Sequence, residues 1–129
     1  MEKTFHYKYK RKLLSPIIPI TLKHGEREAE LDAVIDSGAD YSLMDARFAE
    51  LIGLPILRFE QRKMQGIASS VIGNMCNVKA KVLDEFFEMP VLFVNNYTGP
   101  FNILGRQGFF EKHIITFDEA KLEVKVATR

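Results

Sequence analysis

The chain has 129 residues, 47% of them hydrophobic and 27% charged, with a formal net charge of +1. That length suits one domain, residues 1–129, with a single core, and the composition argues against disorder as the main state. A net charge this close to zero predicts no general attraction to nucleic acid or to membranes.

Residues 5–10 alternate ring and polar side chains, the period-2 pattern of a strand. Around them Lys3, Lys8, Lys10, Arg11 and Lys12 form a basic cluster against Glu2 alone. Lysines on an edge strand block unwanted pairing, so the cluster reads as a solvated edge, with contact to an acidic partner as the alternative. Residues 16–22 form a second strand, and Pro16 and Pro19 imply an edge or an irregular entry. His24-Gly25-Glu26-Arg27 is a hairpin turn. A third strand, residues 28–36, ends in Ala33-Val34-Ile35-Asp36 and is followed by Ser37-Gly38. Three adjacent apolar side chains mark a strand buried on both faces. It stops on an acid, a hydroxyl and a glycine that tolerates φ > 0 or close approach. A plain strand end with an Asx turn is the competing reading of those residues alone.

Residues 42–44 are extended, and residues 45–53 read as a helix capped by Asp45. Phe48, Leu51 and Ile52 fall on one face, and Gly53 and Pro55 end it. Residues 56–65 read as a strand, residues 66–70 as a flexible hairpin tip, and residues 71–83 as the return strand, bulged at Gly73-Asn74. A strand over 86–94 and a loop over 95–100 follow. Residues 101–106 are a short apolar strand stopping at Gly105-Arg106. Residues 107–112 make one or two helical turns. Strands over 113–117 and 122–126 flank a turn. Many short strands with one clear helix imply a mainly-β barrel or sandwich.

The single cysteine, Cys76, excludes an intrachain disulfide and favours a reducing compartment. Its expected place is the core. The first residues carry no apolar leader and no run is long enough to span a bilayer, so a cytoplasmic protein is expected. The histidines are scattered and zinc spacing is absent, so neither metal nor cofactor is expected. Phosphate-loop and Gly-x-Ser-x-Gly patterns are missing too.

What remains is the carboxylate. Asp36-Ser37-Gly38-Ala39-Asp40 resembles the active-site signature of retropepsin-like aspartic proteases. Pro100-Phe101-Asn102-Ile103-Leu104-Gly105-Arg106 is similar to that family's hydrophobic-hydrophobic-Gly stretch with its following Arg. The order also matches: acid motif, hairpin tip, apolar-Gly-Arg segment, short helix. The resemblance implies a small closed barrel with a flap hairpin, acting as a homodimer in which each subunit gives one catalytic Asp36. It implies that Ser37 bonds across the dimer beneath the acids, and that Gly38, Ala39 and Asp40 lie along the substrate. Gly66, Ile67, Ala68 and Ser69 would form the flap, and Phe101 and Ile103 the substrate pockets. Arg106 would hold Asp40 in a partly buried bidentate pair, with Leu104 and Gly105 also structural at the site; an exposed surface pair worth about 0–1 kcal/mol is the competing reading. The flap lacks the Gly-Gly pair common in relatives, and the chain after Arg106 is longer than in the retroviral enzymes.

The chemistry agrees with the count. A shared-proton site needs two carboxylates. Asp32, Asp40, Asp45, Asp84 and Asp118 all lack the following Ser/Thr-Gly, so two copies of Asp36 are required. The function expected is a homodimeric aspartic endopeptidase cleaving extended polypeptides, with an acid-shifted optimum. The alternative is a non-catalytic module of the same fold that binds peptide or dimerises.

Overall fold

The computed structural model describes residues 1–65, 70–99 and 102–129. Strand accounts for 58% of the structure and helix for 13%, arranged around a closed barrel of 6 strands.

Strands β1 (Glu2–His6), β2 (Lys8–Lys10) and β3 (Leu13–Ser15) come first. The alternating segment at 5–10 is therefore two strands. The break falls at Tyr7, which is buried; its N–H donates to the Leu122 carbonyl and its hydroxyl to Glu119. Burial, then that bond to Glu119, pushes the phenol up to about 12. The ring thus interrupts the pattern because it is drawn into the core. β2 and β3 pair only with each other, as a small basic hairpin that residue periodicity had not indicated.

Strands β4 (Ile17–His24) and β5 (Arg27–Ile35) make the hairpin that delivers Asp36, turning at Gly25 with φ +59°. Ile17, Ile18, Ile20 and Leu22 of β4 are buried. The other edge of β4 meets β8 (Ser70–Lys81) only from Thr21 to Lys23, and this pairing closes the barrel. Pro19 lies before it, where a missing N–H breaks no ladder bond to β8. Between these strands lie β10 (Asn102–Leu104), β6 (Ser42–Asp45) and β9 (Phe87–Val94), in the order β4-β5-β10-β6-β9-β8. β10 runs parallel to β5, and β6 parallel to β9. β7 (Gln61–Gln65) extends the sheet beyond β8 and pairs with it as far as Gln65↔Ser70, so Ser70, expected in the hairpin tip, belongs to the return strand. Its register is continuous through Gly73 and Asn74, so the expected bulge is absent. Gly73 instead answers close packing: a Cβ there would strike the Phe93 carbonyl.

Helix α1 (Ala46–Leu51) is shorter than the 45–53 expected, though Asp45 caps it by accepting from the Arg47 N–H. Its inward face is Ala46, Ala49 and Ile52; Leu51 points to solvent. Two alanines let the helix approach closely, which turns the larger side chain outward. The segment expected as a strand from 56 begins instead with a 3-10 turn, Ile56–Arg58, following Pro55. After β10, Arg106–Phe110 form a π-type turn broken at Gln107 and at Gly108, where φ is +84°. β11 (His113–Asp118) and β12 (Glu123–Thr128) complete a separate sheet in the order β1-β12-β11.

The core includes Phe93, Phe109, Met44, Leu92 and Leu104, all fully buried. Cys76 joins it, and burial pushes its thiol up to about 11, which keeps it unreactive. Among the described residues no helix is long and apolar enough to cross a membrane.

His113 is a buried ionisable group with a consequence near neutral pH. Its Nδ1–H donates to the Phe109 carbonyl at 2.9 Å, and its ring packs edge-on to Phe87 and beside Phe109. Burial lowers its pKa, the Phe109 carbonyl opposes that, and Arg129 adds to it. The folded value is therefore below the unfolded value of about 6.5. Stability from the neutral ring is complete above about pH 6.5 and falls as the unfolded chain takes up the proton first. Denaturant midpoints should fall between pH 7.5 and 5.5, and His113→Gln should flatten that slope. A pH-independent midpoint in the parent would contradict the assignment.

Candidate active site

The buried run Leu31, Ala33, Val34, Ile35 carries β5 through the barrel and releases Asp36 at its rim, exposed. Asp36 N–H donates to the Leu104 carbonyl at 3.0 Å, tying the strand exit to the end of β10. Its Oδ1 accepts from the Gly38 N–H at 2.8 Å, and its carbonyl from the Ala39 N–H at 3.2 Å. The Asx turn of a plain strand end is thus present, and it orients the carboxylate. Gly38 does not use a positive φ. A Cβ on it would lie 3.2 Å from Asp36 Oδ1, so glycine there keeps the carboxylate uncrowded.

The same turn is stitched to the segment after β10. Arg106 N–H donates to the Ala39 carbonyl at 2.8 Å, and Gln107 N–H to the Asp40 carbonyl at 2.9 Å. Leu104 is fully buried beneath. Gly105 N–H donates to Ser42 Oγ at 3.1 Å, and Ser42 is itself fully buried. The structure therefore brings together Asp36, Ser37, Gly38, Ala39, Asp40, Leu104, Gly105 and Arg106.

Asp40 and Arg106 do meet, but loosely. A single Oδ1–Nη1 approach of 3.9 Å joins side chains that are 74% and 67% exposed. The expected partly buried bidentate pair is not formed in one chain, because the backbone bonds already hold these segments and leave both side chains in water. Arg106→Ala should lower the stability of the dissociated chain by less than about 1 kcal/mol, the range for exposed pairs. Urea denaturation at high dilution checks this, and a loss of several kcal/mol would contradict it.

Ile103 is half-buried, paired with Val34 and Leu43 across β5 and β6. It packs on a second apolar cluster, Leu43, Leu92 and Val94, together with Met64 and Val71 from the β7–β8 hairpin. An apolar floor therefore runs from β10, next to Asp36, to the base of the hairpin. Arg62 of β7 reaches the turn from the same side, its Nη1 donating to Tyr41 Oη at 3.4 Å. Gly66, Ile67, Ala68, Ser69 and Phe101 lie outside the described residues.

Two supporting residues escaped the sequence reading. Asn102 Oδ1 accepts from the Asp45 N–H at 3.0 Å and its Nδ2 donates to the Asp32 carbonyl at 3.1 Å, so it bridges β5 to β6 through β10. Ser42 is the other. A polar residue among apolar ones in each short strand was the available signal. Asp45 is itself buried; burial raises its pKa, but hydrogen bonds and charge from Arg47 outweigh that and hold it low. Among the described residues, no group of three or more His, Cys, Asp or Glu is placed to hold a metal ion.

No family model and no curated protein matches the sequence. Solved structures do match the fold. One is the crystal structure of the retroviral protease-like domain of Ddi1 from Leishmania major, with a TM-score of 0.60 over 92% of this chain and 96% of that one, at 19% identity. With its closed 6-strand barrel and the Asp36 turn at the rim, the chain has the fold of a retroviral protease-like domain.

Proposed function

We propose that the protein is a homodimeric aspartic endopeptidase that hydrolyses peptide bonds in extended polypeptides, in the cytoplasm. The observation that carries this reading is the Asp36 turn itself. A carboxylate stands exposed at the barrel rim, oriented by Gly38 N–H and anchored through Asp36 N–H to Leu104. An apolar floor starting at Ile103 lies beside it.

A second copy completes the chemistry. Two Asp36 carboxylates about 3 Å apart cannot both ionise cheaply, so they share one proton. The ionised member takes a proton from a bound water as its oxygen attacks the scissile carbonyl carbon. The protonated member hydrogen-bonds to the carbonyl oxygen and transfers its proton there. Collapse of the tetrahedral intermediate breaks the C–N bond, and the amine leaves with a proton returned from the dyad. Titration belongs to the pair, so the rate should be highest on the acid side of neutrality. Gly38 and Ala39 lie along the substrate backbone, and Ile103 accepts an apolar side chain.

Sedimentation, followed by cleavage of a diverse peptide mixture at pH 4–7, tests the proposal. Activity should rise faster than linearly with protein concentration, because only dimers cut. Peptide binding without cleavage would favour the non-catalytic module. A strict monomer without activity at any concentration would end the symmetric mechanism.

A further inference from the structure

We propose that the β2–β3 hairpin is a dimer clasp, gripping the Asp36–Asp40 turn of a second copy of this chain. The inference rests on the homodimer reading above and adds what holds the two copies together.

Position comes first. The hairpin leaves the barrel immediately before Pro16, whose carbonyl accepts from the Ile35 N–H at 2.9 Å. Ile35 precedes Asp36, and neighbouring strands lie about 5 Å apart. A two-fold axis that brings two Asp36 carboxylates together therefore brings this hairpin against the partner. From Ser15 to the tip at Arg11 and Lys12 the chain can span about 10 Å. Asp40 is four residues beyond Asp36, within the same range.

The chemistry is complementary. Residues 8–15 hold Lys8, Lys10, Arg11 and Lys12 and no acid. Lys8 meets Asp32 of its own chain at 3.5 Å, but no contact to a carboxylate ties down Arg11 or Lys12 among the described residues. Opposite them the partner's turn offers Asp40, whose only ion pair there is the loose 3.9 Å contact with Arg106. Leu13 is 74% exposed and Tyr9 is 70% exposed, large apolar area left open to solvent among the described residues. Arg11 also sits at φ +58° in the two-residue loop between the paired Lys10 and Leu13. Glycine would be unstrained there. The chain instead accepts the strain and projects a guanidinium from the tip. Finally, β1 already pairs with β12 of its own chain from Glu2↔Ala127 to His6↔Glu123, so those facing edges are occupied in cis.

Triple charge reversal, K10E/R11E/K12E, should raise the dimer dissociation constant at least tenfold by sedimentation. Dissociation of the parent should strengthen with salt, and that of the variant should respond far less. As a check independent of reversal, Leu13→Cys chains mixed with Asp40→Cys chains should form an intermolecular disulfide in preference to either alone; Cys76 is buried and does not compete. An unchanged dissociation constant with no mixed disulfide, in a protein that still dimerises and cleaves peptide, overturns the clasp and leaves the endopeptidase standing. An unchanged dissociation constant with a raised KM for acidic peptides overturns it in favour of a substrate-docking site. A parent that stays monomeric and inactive at all concentrations overturns both.

Discussion

Asp36→Asn is expected to reduce peptide cleavage by about 10³-fold or more while the fold stays intact. The rate follows from what the carboxylate does. In the proposed dyad one Asp36 is the base and its copy the acid, and each such role is worth on the order of 10²–10⁴. The substitution removes both at once, because both copies carry it. The fold follows from what the carboxylate touches. Asn keeps an Oδ1 acceptor for the Gly38 N–H, the shape is nearly unchanged, and the position is exposed. Stability should move by no more than about 0.5 kcal/mol. A mixing experiment sharpens the test. When parent and variant exchange subunits freely at equal concentrations, activity should be about a quarter of that of the parent alone at the same total protein concentration, since only parent–parent pairs hold two acids. Activity at about half to three quarters of that reference would show that a single Asp36 suffices. Cleavage by Asp36→Asn at the parental rate would remove this residue from the mechanism.

The part of the molecule legible in advance is the part where local pattern and tertiary environment agree. Ala33-Val34-Ile35 reads as a strand buried on both faces, and it is one, flanked by β4 and β10. The Asp45 cap and the Gly53 stop read correctly because capping depends on the neighbouring few residues. Where a long-range contact decides, local pattern fails. Tyr7 looks like one ring in an alternating strand, yet Leu122 and Glu119, far along the chain, claim its N–H and hydroxyl. Leu51 fits a helical stripe with Phe48, yet Ala46 and Ala49 are what the barrel leaves room for. The turn after Arg106 reads as helix by composition, but Gly108 sits at φ +84° against Met89 and Pro90, which no local signal reports. At the site the backbone of residues 36–40 is bonded to that of Leu104, Arg106 and Gln107. What holds them does not come from the Asp40–Arg106 pair; it comes from main-chain bonds, from Ser42, which no motif names, and from Asn102, which lies in the second motif without an assigned role.

The proposed acid-shifted activity would meet a limit within the same chain. The shared proton of the proposed dyad would favour low pH, whereas neutral His113 stabilises the fold less as pH falls below about 6.5. Lowering the pH therefore improves the protonation state of the site while weakening the scaffold that positions it. The useful window lies where the second effect is still small, and His113→Gln should move its acid edge even though His113 packs against Phe109 and Phe87, outside the turn that carries Asp36.

Gly105→Ala should damage the fold more than any change at the exposed acids. A Cβ at this position would overlap the Tyr41 carbonyl and lie 2.8 Å from the Ala39 carbonyl oxygen. Neither obstacle is a side chain that can swing aside. The Ala39 carbonyl is held by Arg106 N–H, and the Asp40 carbonyl beside it by Gln107 N–H. Relief requires residues 39–41 to separate from 105–107, which breaks those bonds and pulls the buried Gly105 N–H from Ser42 Oγ. Overpacking alone costs about 1–3 kcal/mol, and an orphaned buried donor about 1–3 more. A loss of about 3 kcal/mol or more follows, read as a fall in Tm of at least about 10 °C. Gly38→Ala is the control, since its Cβ meets only the flexible Asp36 carboxylate, at 3.2 Å. It should cost under about 1 kcal/mol while altering the pH profile of cleavage. If Gly105→Ala melted within a degree or two of the parent, the close contact between these two backbones would be wrong, and with it the anchoring of Asp36.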